Sequence, residues 1–145
     1  MGVTVSLQRL HPDAVAPVQQ HPGDAGWDLS ALEGSTIAPG GRTLIRTGWA
    51  IAIPEGWEGQ VRPRSGLALK RGITVLNSPG TIDSGYRGEI GVVLHNTSEE
   101  MQVIGAGERI AQLVIAPVAA GLTLQEVEEL PPSARGTGGF GHTGA

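Results

Sequence analysis

Cysteine is absent from this 145-residue chain, which excludes disulfides, thiolate metal sites and a cysteine nucleophile. No apolar run approaches the ~20 residues of a membrane span, and the N-terminus carries no signal-peptide pattern. The expectation is a cytoplasmic protein with no membrane contact. Positive charge is in short supply: 10 basic residues against 14 acidic ones leave a net charge of −4. That balance argues against a general nucleic-acid binder, although local basic groups can still hold a small anionic ligand. Aromatic residues are few, and Trp27, Trp49 and Trp57 are expected to pack rather than to offer stacking platforms. His11, His21, His95 and His142 are scattered with no metal-ligand spacing, which speaks against zinc. Ser65 lacks a Gly-x-Ser-x-Gly context, so a serine hydrolase is disfavoured.

What remains is β pattern and glycine. A chain of this length fits one domain and can bury about 68–70% of its unfolded surface. Val3, Val5 and Leu7 alternate with polar residues at period two. Short apolar runs follow at Thr43–Thr47, Trp49–Ile53, Ile73–Leu76, Ile90–Leu94, Met101–Ile104, Ile110–Val118 and Leu122–Val127, with Gly or Pro in nearly every gap. This predicts an all-β fold, a jelly roll or distorted barrel. The one short helix expected is Ser65–Arg71, with Ser65 as N-cap and Gly72 as its stop. Pro63 holds Arg62 extended at the entry. Residues 1–130 form the body. Residues 131–145, with five glycines and one large apolar residue, Phe140, form a flexible tail.

Three segments carry candidate chemistry. NSPGTIDSGYRGE, Asn77 to Glu89, joins two apolar runs as a glycine-lined β-hairpin that places Asp83 and Tyr86 at its rim. Asp83 is there a candidate base and Tyr86 a platform; a solvated turn is the alternative. The start of the short helix, beside Arg64, offers free amides and a guanidinium to an anion, or else is an ordinary capped turn. In the tail, Arg135 can grip a phosphate and Phe140 can stack on a base. RGTGGFG follows no strand and precedes no helix, so it is not a phosphate loop; it is a lid or a disordered end. Asp24 and Asp28 share a glycine-broken turn, where a carboxylate can reach a hydrated cation or simply cap the turn. The acidic run Glu126–Leu130 is expected to be a solvated strand end.

Five segments are ordered along the chain: AGWDLSA (25–31), PRSGLA (63–68), GTIDSGYRGE (80–89), GERIAQL (107–113) and RGTGGFG (135–141). In this order they resemble the five motifs of the trimeric dUTP pyrophosphatases, a likeness running from Asp24 to Gly141. It implies a jelly-roll subunit, a homotrimer and three active sites, each built from all three chains. It implies hydrolysis of dUTP to dUMP and pyrophosphate with magnesium, which limits uracil in DNA and supplies dUMP for thymidylate synthesis. Asp83 then resembles the carboxylate that activates the attacking water, and Asp28 a magnesium contact through water. Arg64, Ser65, Gly66 and Gln112 resemble the phosphate grip. Asn77 and the hairpin backbone, with Thr81 and Ile82, match the uracil reader, and Tyr86 the platform under the sugar. Arg135, Gly138 and Phe140 match the arm that closes the site over γ-phosphate and uracil.

Two rivals share parts of this pattern. The dCTP deaminases have a related third motif, but their deaminating glutamate lies about ten residues beyond its aspartate, where this chain has Val93. A nucleotide-binding module that lost turnover is the other, yet every motif residue needed for turnover is present.

Overall fold

Ten strands and one helix make up the computed structural model, which describes residues 2–141 and 143–144. In chain order these are β1 (Ser6–Arg9), β2 (Gly26–Ser30), β3 (Ser35–Ile37), β4 (Arg42–Ala52), β5 (Trp57–Arg62), α1 (Ser65–Arg71), β6 (Ile73–Val75), β7 (Gly80–Ile82), β8 (Glu89–Asn96), β9 (Gln102–Ile104) and β10 (Arg109–Pro117). One antiparallel sheet has the order β1-β4-β8-β6, a second the order β2-β10-β5-β7, and β3 pairs with β9. The fold is an all-β jelly roll with one short helix. His142 lies outside the described residues.

The core follows from period-two patterning. Along β8 Ile90, Val92, Leu94 and Asn96 turn inward while their neighbours do not. Leu29, Ile51, Ile53, Ile73, Ile90, Leu94, Ile104 and Ile110 are all fully buried. Each such side chain contributes about 1.5–3 kcal/mol by leaving water. Ser30, Thr47 and Asn96 are buried polar residues; Asn96 donates to the carbonyls of Ile37 at 2.9 Å and Glu100 at 2.7 Å, and the Thr47 hydroxyl donates to the Ile90 carbonyl at 2.7 Å.

Several expectations change in detail. The runs Thr43–Thr47 and Trp49–Ile53 form one strand, β4, because Gly48 at φ 79 lets the chain bulge there, with a register shift between Arg46 and Ala50. A Cβ at Gly48 would lie 2.7 Å from that of Ala14. The alternation at Val3–Leu7 becomes a strand only from Ser6 to Arg9, where β4 supplies a partner. Leu122–Val127 forms no strand, and the run Glu126–Leu130 is therefore not a strand end: no neighbouring strand pairs with it, and Leu122, Leu124 and Leu130 are exposed. Helix α1 has the expected bounds and Gly72 stops it in the left-handed region, but its N-cap is Arg64, whose backbone is still extended, and Ser65 is already helical. Of the three tryptophans only Trp49 is buried. Trp27 is 41% exposed because it lies beyond the core, in an apolar groove of about 500 Å³ with Trp57, Leu113 and Ile115.

The segment between β6 and β8 is more than a hairpin loop. β6 and β8 do pair, Val75 opposite Leu94. Between them the chain crosses to the other sheet and adds β7 against β5, Gly80 opposite Val61 and Ile82 opposite Gly59. Both sheets thus grip this segment.

Candidate active site

The second sheet places four of the five motifs. Asp28 on β2, Gln112 on β10 and Arg62 on β5 form one row across it, and β7 begins beside the end of β5. Gly26 makes this row possible, since a Cβ there would fall 2.2 Å from the Gln112 side-chain oxygen. Gln112 in turn donates to the Pro63 carbonyl at 3.0 Å and so fixes the path from β5 into α1.

Asp28 is the centre of a basic edge. Its Oδ1 pairs with Arg64 Nε at 3.3 Å, and its Oδ2 with Arg109 at 3.4 Å. Gln20 Nε2 also donates to Oδ2 at 2.9 Å. The Asp28 side chain is only 12% exposed, whereas Arg109 is half exposed. Two guanidiniums share one carboxylate, which leaves the edge net positive and oriented for an anion. Ser65 and Gly66 open α1 beside it, both exposed, with no acid in the first turn. Nothing lies within 4 Å of the place a Gly66 Cβ would take, so a ligand can approach the backbone there. Asp24 is not part of this group: it accepts from the His21 amide at 3.0 Å and caps a turn, while Asp28 stands on a strand.

The third motif forms a separate group around a cavity of about 200 Å³. Asn77, Gly80, Thr81, Asp83, Tyr86, Glu89 and Val93 contribute to its lining. Asp83 lies just past β7, exposed at the rim. Its backbone carbonyl accepts from the Tyr86 amide at 3.1 Å, but among the described residues its carboxylate has no hydrogen-bond or ion-pair partner. Tyr86 donates its hydroxyl to the Glu89 carbonyl at 2.6 Å. Thr81 is exposed, whereas the Ile82 side chain turns into the core, so Ile82 offers a ligand only its backbone. Val93 gives the cavity an apolar wall.

The tail stands apart. Arg135 Nε donates to the Gly138 carbonyl at 2.7 Å, and Phe140 is fully exposed with φ 50. Among the described residues no hydrogen bond or ion pair joins Asp83 or Tyr86 to Asp28, Arg64, Ser65 or Gln112, and none joins the tail to either group. Arg109, Gln20 and Glu89 were not assigned roles from sequence. Arg109 and Glu89 sit inside quoted motifs, a usable signal; Gln20 is eight residues from Asp28 in an irregular segment and carries none.

A jelly-roll chain with a two-arginine edge suited to an anion and a distinct acid-and-tyrosine loop defines a class, that of all-β proteins with an anion site. The particular family is given by comparison: the family model described as dUTPase matches residues 13–144, and the chain belongs to that family. It is 56% identical over 138 residues to a deoxyuridine 5'-triphosphate nucleotidohydrolase of Picosynechococcus sp., covering 95% of this chain and 96% of that one. It is 53% identical over 144 residues to the enzyme so named from Syntrophotalea carbinolica, covering 98% and 97%. Among solved structures, a dUTPase of Staphylococcus bacteriophage 80alpha with dUpNHpp matches with TM-score 0.91 and 31% identity over 98% of this chain and 99% of that one. The dUTPase from phage phi11 of S. aureus, described with a structural Mg(II) ion, matches with TM-score 0.79 and 29% identity over 87% and 97%.

Proposed function

We propose that the chain hydrolyses dUTP to dUMP and pyrophosphate by attack of water on the α-phosphorus, at a site completed between copies of the chain. The observation that carries the chemistry is Asp83: among the described residues its carboxylate is unengaged at the cavity rim, while Asp28 is committed to Gln20 and two arginines. A free carboxylate beside a bound α-phosphorus can orient a water and take its proton. Arg64, the amides at Ser65 and Gly66, and Gln112 hold the triphosphate for in-line attack. Asn77 and the backbone of residues 80–82 meet the uracil edge, where cytosine would leave buried polar groups unpaired. Tyr86 fills the space under the sugar and rejects a 2′-hydroxyl. Arg135 and Phe140 close the site over the γ-phosphate and the base, with Gly138 giving the arm its bend.

Magnesium fits this arrangement indirectly. Among the described residues no three His, Asp or Glu side chains group to hold a metal ion, and Asp28 already accepts from three side chains. Asp28 would therefore hold the ion through water. When bound, magnesium supplies charge neutralisation along the triphosphate. We place the reaction in the cytoplasm, with the deoxynucleotide pool on which it draws.

A panel of dUTP, UTP, dCTP and dTTP with magnesium tests the activity directly. Pyrophosphate release is expected from dUTP alone. Conversion of dCTP to a uracil nucleotide would sink the assignment in favour of deamination, but Val93 supplies no carboxylate for water addition to the ring.

The separation of the Asp28 edge, the Asp83 loop and the tail within one chain supports a homotrimer with shared sites. A second support is the exposure of Leu122, Leu124 and Leu130 just before the tail. Sedimentation at micromolar concentration is expected to give three times the 15.0 kDa chain mass; a monomer would contradict shared sites.

A further inference from the structure

We infer that Gly88 is a specificity-determining residue, because it is the seat on which the Tyr86 ring rests. The inference builds on the reading that Tyr86 excludes the ribose 2′-hydroxyl. Tyr86 is 44% exposed, so burial does not fix its ring. Two local contacts do. The hydroxyl is tied to the Glu89 carbonyl at 2.6 Å, which folds the ring back over its own loop. Residue 88 lies directly beneath: a Cβ there would stand 2.5 Å from the Tyr86 hydroxyl, 2.6 Å from Cζ and 2.9 Å from Cε1. Real Cβ atoms keep out of that range, so any side chain at position 88 must lift the phenol end away from Glu89.

The seat itself is fastened to the frame. Glu89 Oε2 accepts from the Gly48 amide at 2.9 Å, and both its oxygens meet Arg46 Nε at 3.1 and 3.2 Å. The Gly88 carbonyl accepts from the Ile51 amide at 3.3 Å. The β4 bulge at Gly48 thus supports the two residues that position Tyr86, and the ring borders the cavity from there. Gly88 has no positive φ, so its backbone tolerates alanine. The conflict falls on the movable end of one exposed side chain, which can swing to another rotamer without unfolding the body.

The test compares kcat/KM for dUTP and UTP in Gly88→Ala, Tyr86→Phe and Tyr86→Leu. Loss of active protein scales both substrates alike and cancels in their ratio, so a merely structural role leaves the ratio unmoved. The dUTP:UTP ratio is expected to fall by about tenfold in Gly88→Ala, the scale of losing one well-made hydrogen bond and the ring position it fixes. Should that variant not fold, Tyr86→Phe, which removes only the anchor, is expected to lower the ratio in the same direction. An unchanged ratio in the folded Gly88→Ala, with a lowered one in Tyr86→Leu, would overturn the role of Gly88 and leave Tyr86 as the discriminator. An unchanged ratio in Tyr86→Leu would overturn both.

Discussion

Asp83→Asn is expected to lower dUTP turnover by about 10²–10⁴ while leaving substrate affinity nearly unchanged. The substitution keeps the shape of the side chain and removes its ability to accept a proton. No structural bond is lost with the charge, because among the described residues the Asp83 carboxylate bonds to nothing. Its backbone carbonyl, which does hold the Tyr86 amide, is untouched by the change. In the proposed site affinity is carried elsewhere, by the two-arginine edge and the loop backbone. The measurement is kcat from pyrophosphate release beside a dissociation constant for a non-hydrolysable dUTP analogue. Near-normal turnover in Asp83→Asn would remove this residue from the chemistry. Asp28→Asn offers a contrast: it breaks two ion pairs at 3.3 and 3.4 Å, so it disturbs binding and local order together.

Much of this was legible from residue order. The short β-branched runs Ile73–Leu76, Ile90–Leu94 and Ile110–Val118 marked β6, β8 and β10, and Gly72 marked the end of α1, which it closes in the left-handed region. The chain-order motifs singled out Asp28, Arg64, Asp83 and Gln112 as candidates; the structure pairs Asp28 with Arg64, sets Gln112 opposite Asp28, and places Asp83 at a separate cavity. Three features were not legible, each for a physical reason. β7 is three residues of glycine-rich loop, and only the presence of β5 makes it a strand. Leu122–Val127 has strand composition but no partner strand among the described residues, and a strand without a ladder is not stable. The pairing of Asp28 with Arg64 and Arg109 depends on three elements far apart in sequence; no local pattern encodes it. The resemblance supplied the residues but not their alliances.

Those alliances also divide the site. Asp28 and Gln112 are set by the row across β2, β10 and β5, and Arg64 and Arg109 are tied to it through their ion pairs with Asp28. Asp83 and Tyr86 are fixed independently, by β7 on one sheet and Glu89 on the other. On the proposed homotrimer these two halves meet between neighbouring copies, and the part left to close over substrate is the tail.

Ending the chain after Ala134 is therefore expected to leave a folded trimer whose turnover falls by roughly 10³, the low end of what an arginine supplied to a transferring phosphate contributes. The body has nothing to lose. Every hydrogen bond made by the described tail residues is internal to the tail, from Arg135 to Gly138, from Gly136 to Ser133 and from Gly144 to Gly141. Phe140 touches no core, being fully exposed. Thermal midpoint and sedimentation should match the full chain. Function has more at stake under the proposed reaction, in which Arg135 supplies the charge at the γ-phosphate and Phe140 the cover that keeps bulk water from the site. Arg135→Ala and Phe140→Ala in the full chain separate the two: the first acts on phosphate positioning, the second on base cover and KM. Full activity in the truncated protein would refute the lid, and would return the tail to what its composition alone describes, a glycine-rich end.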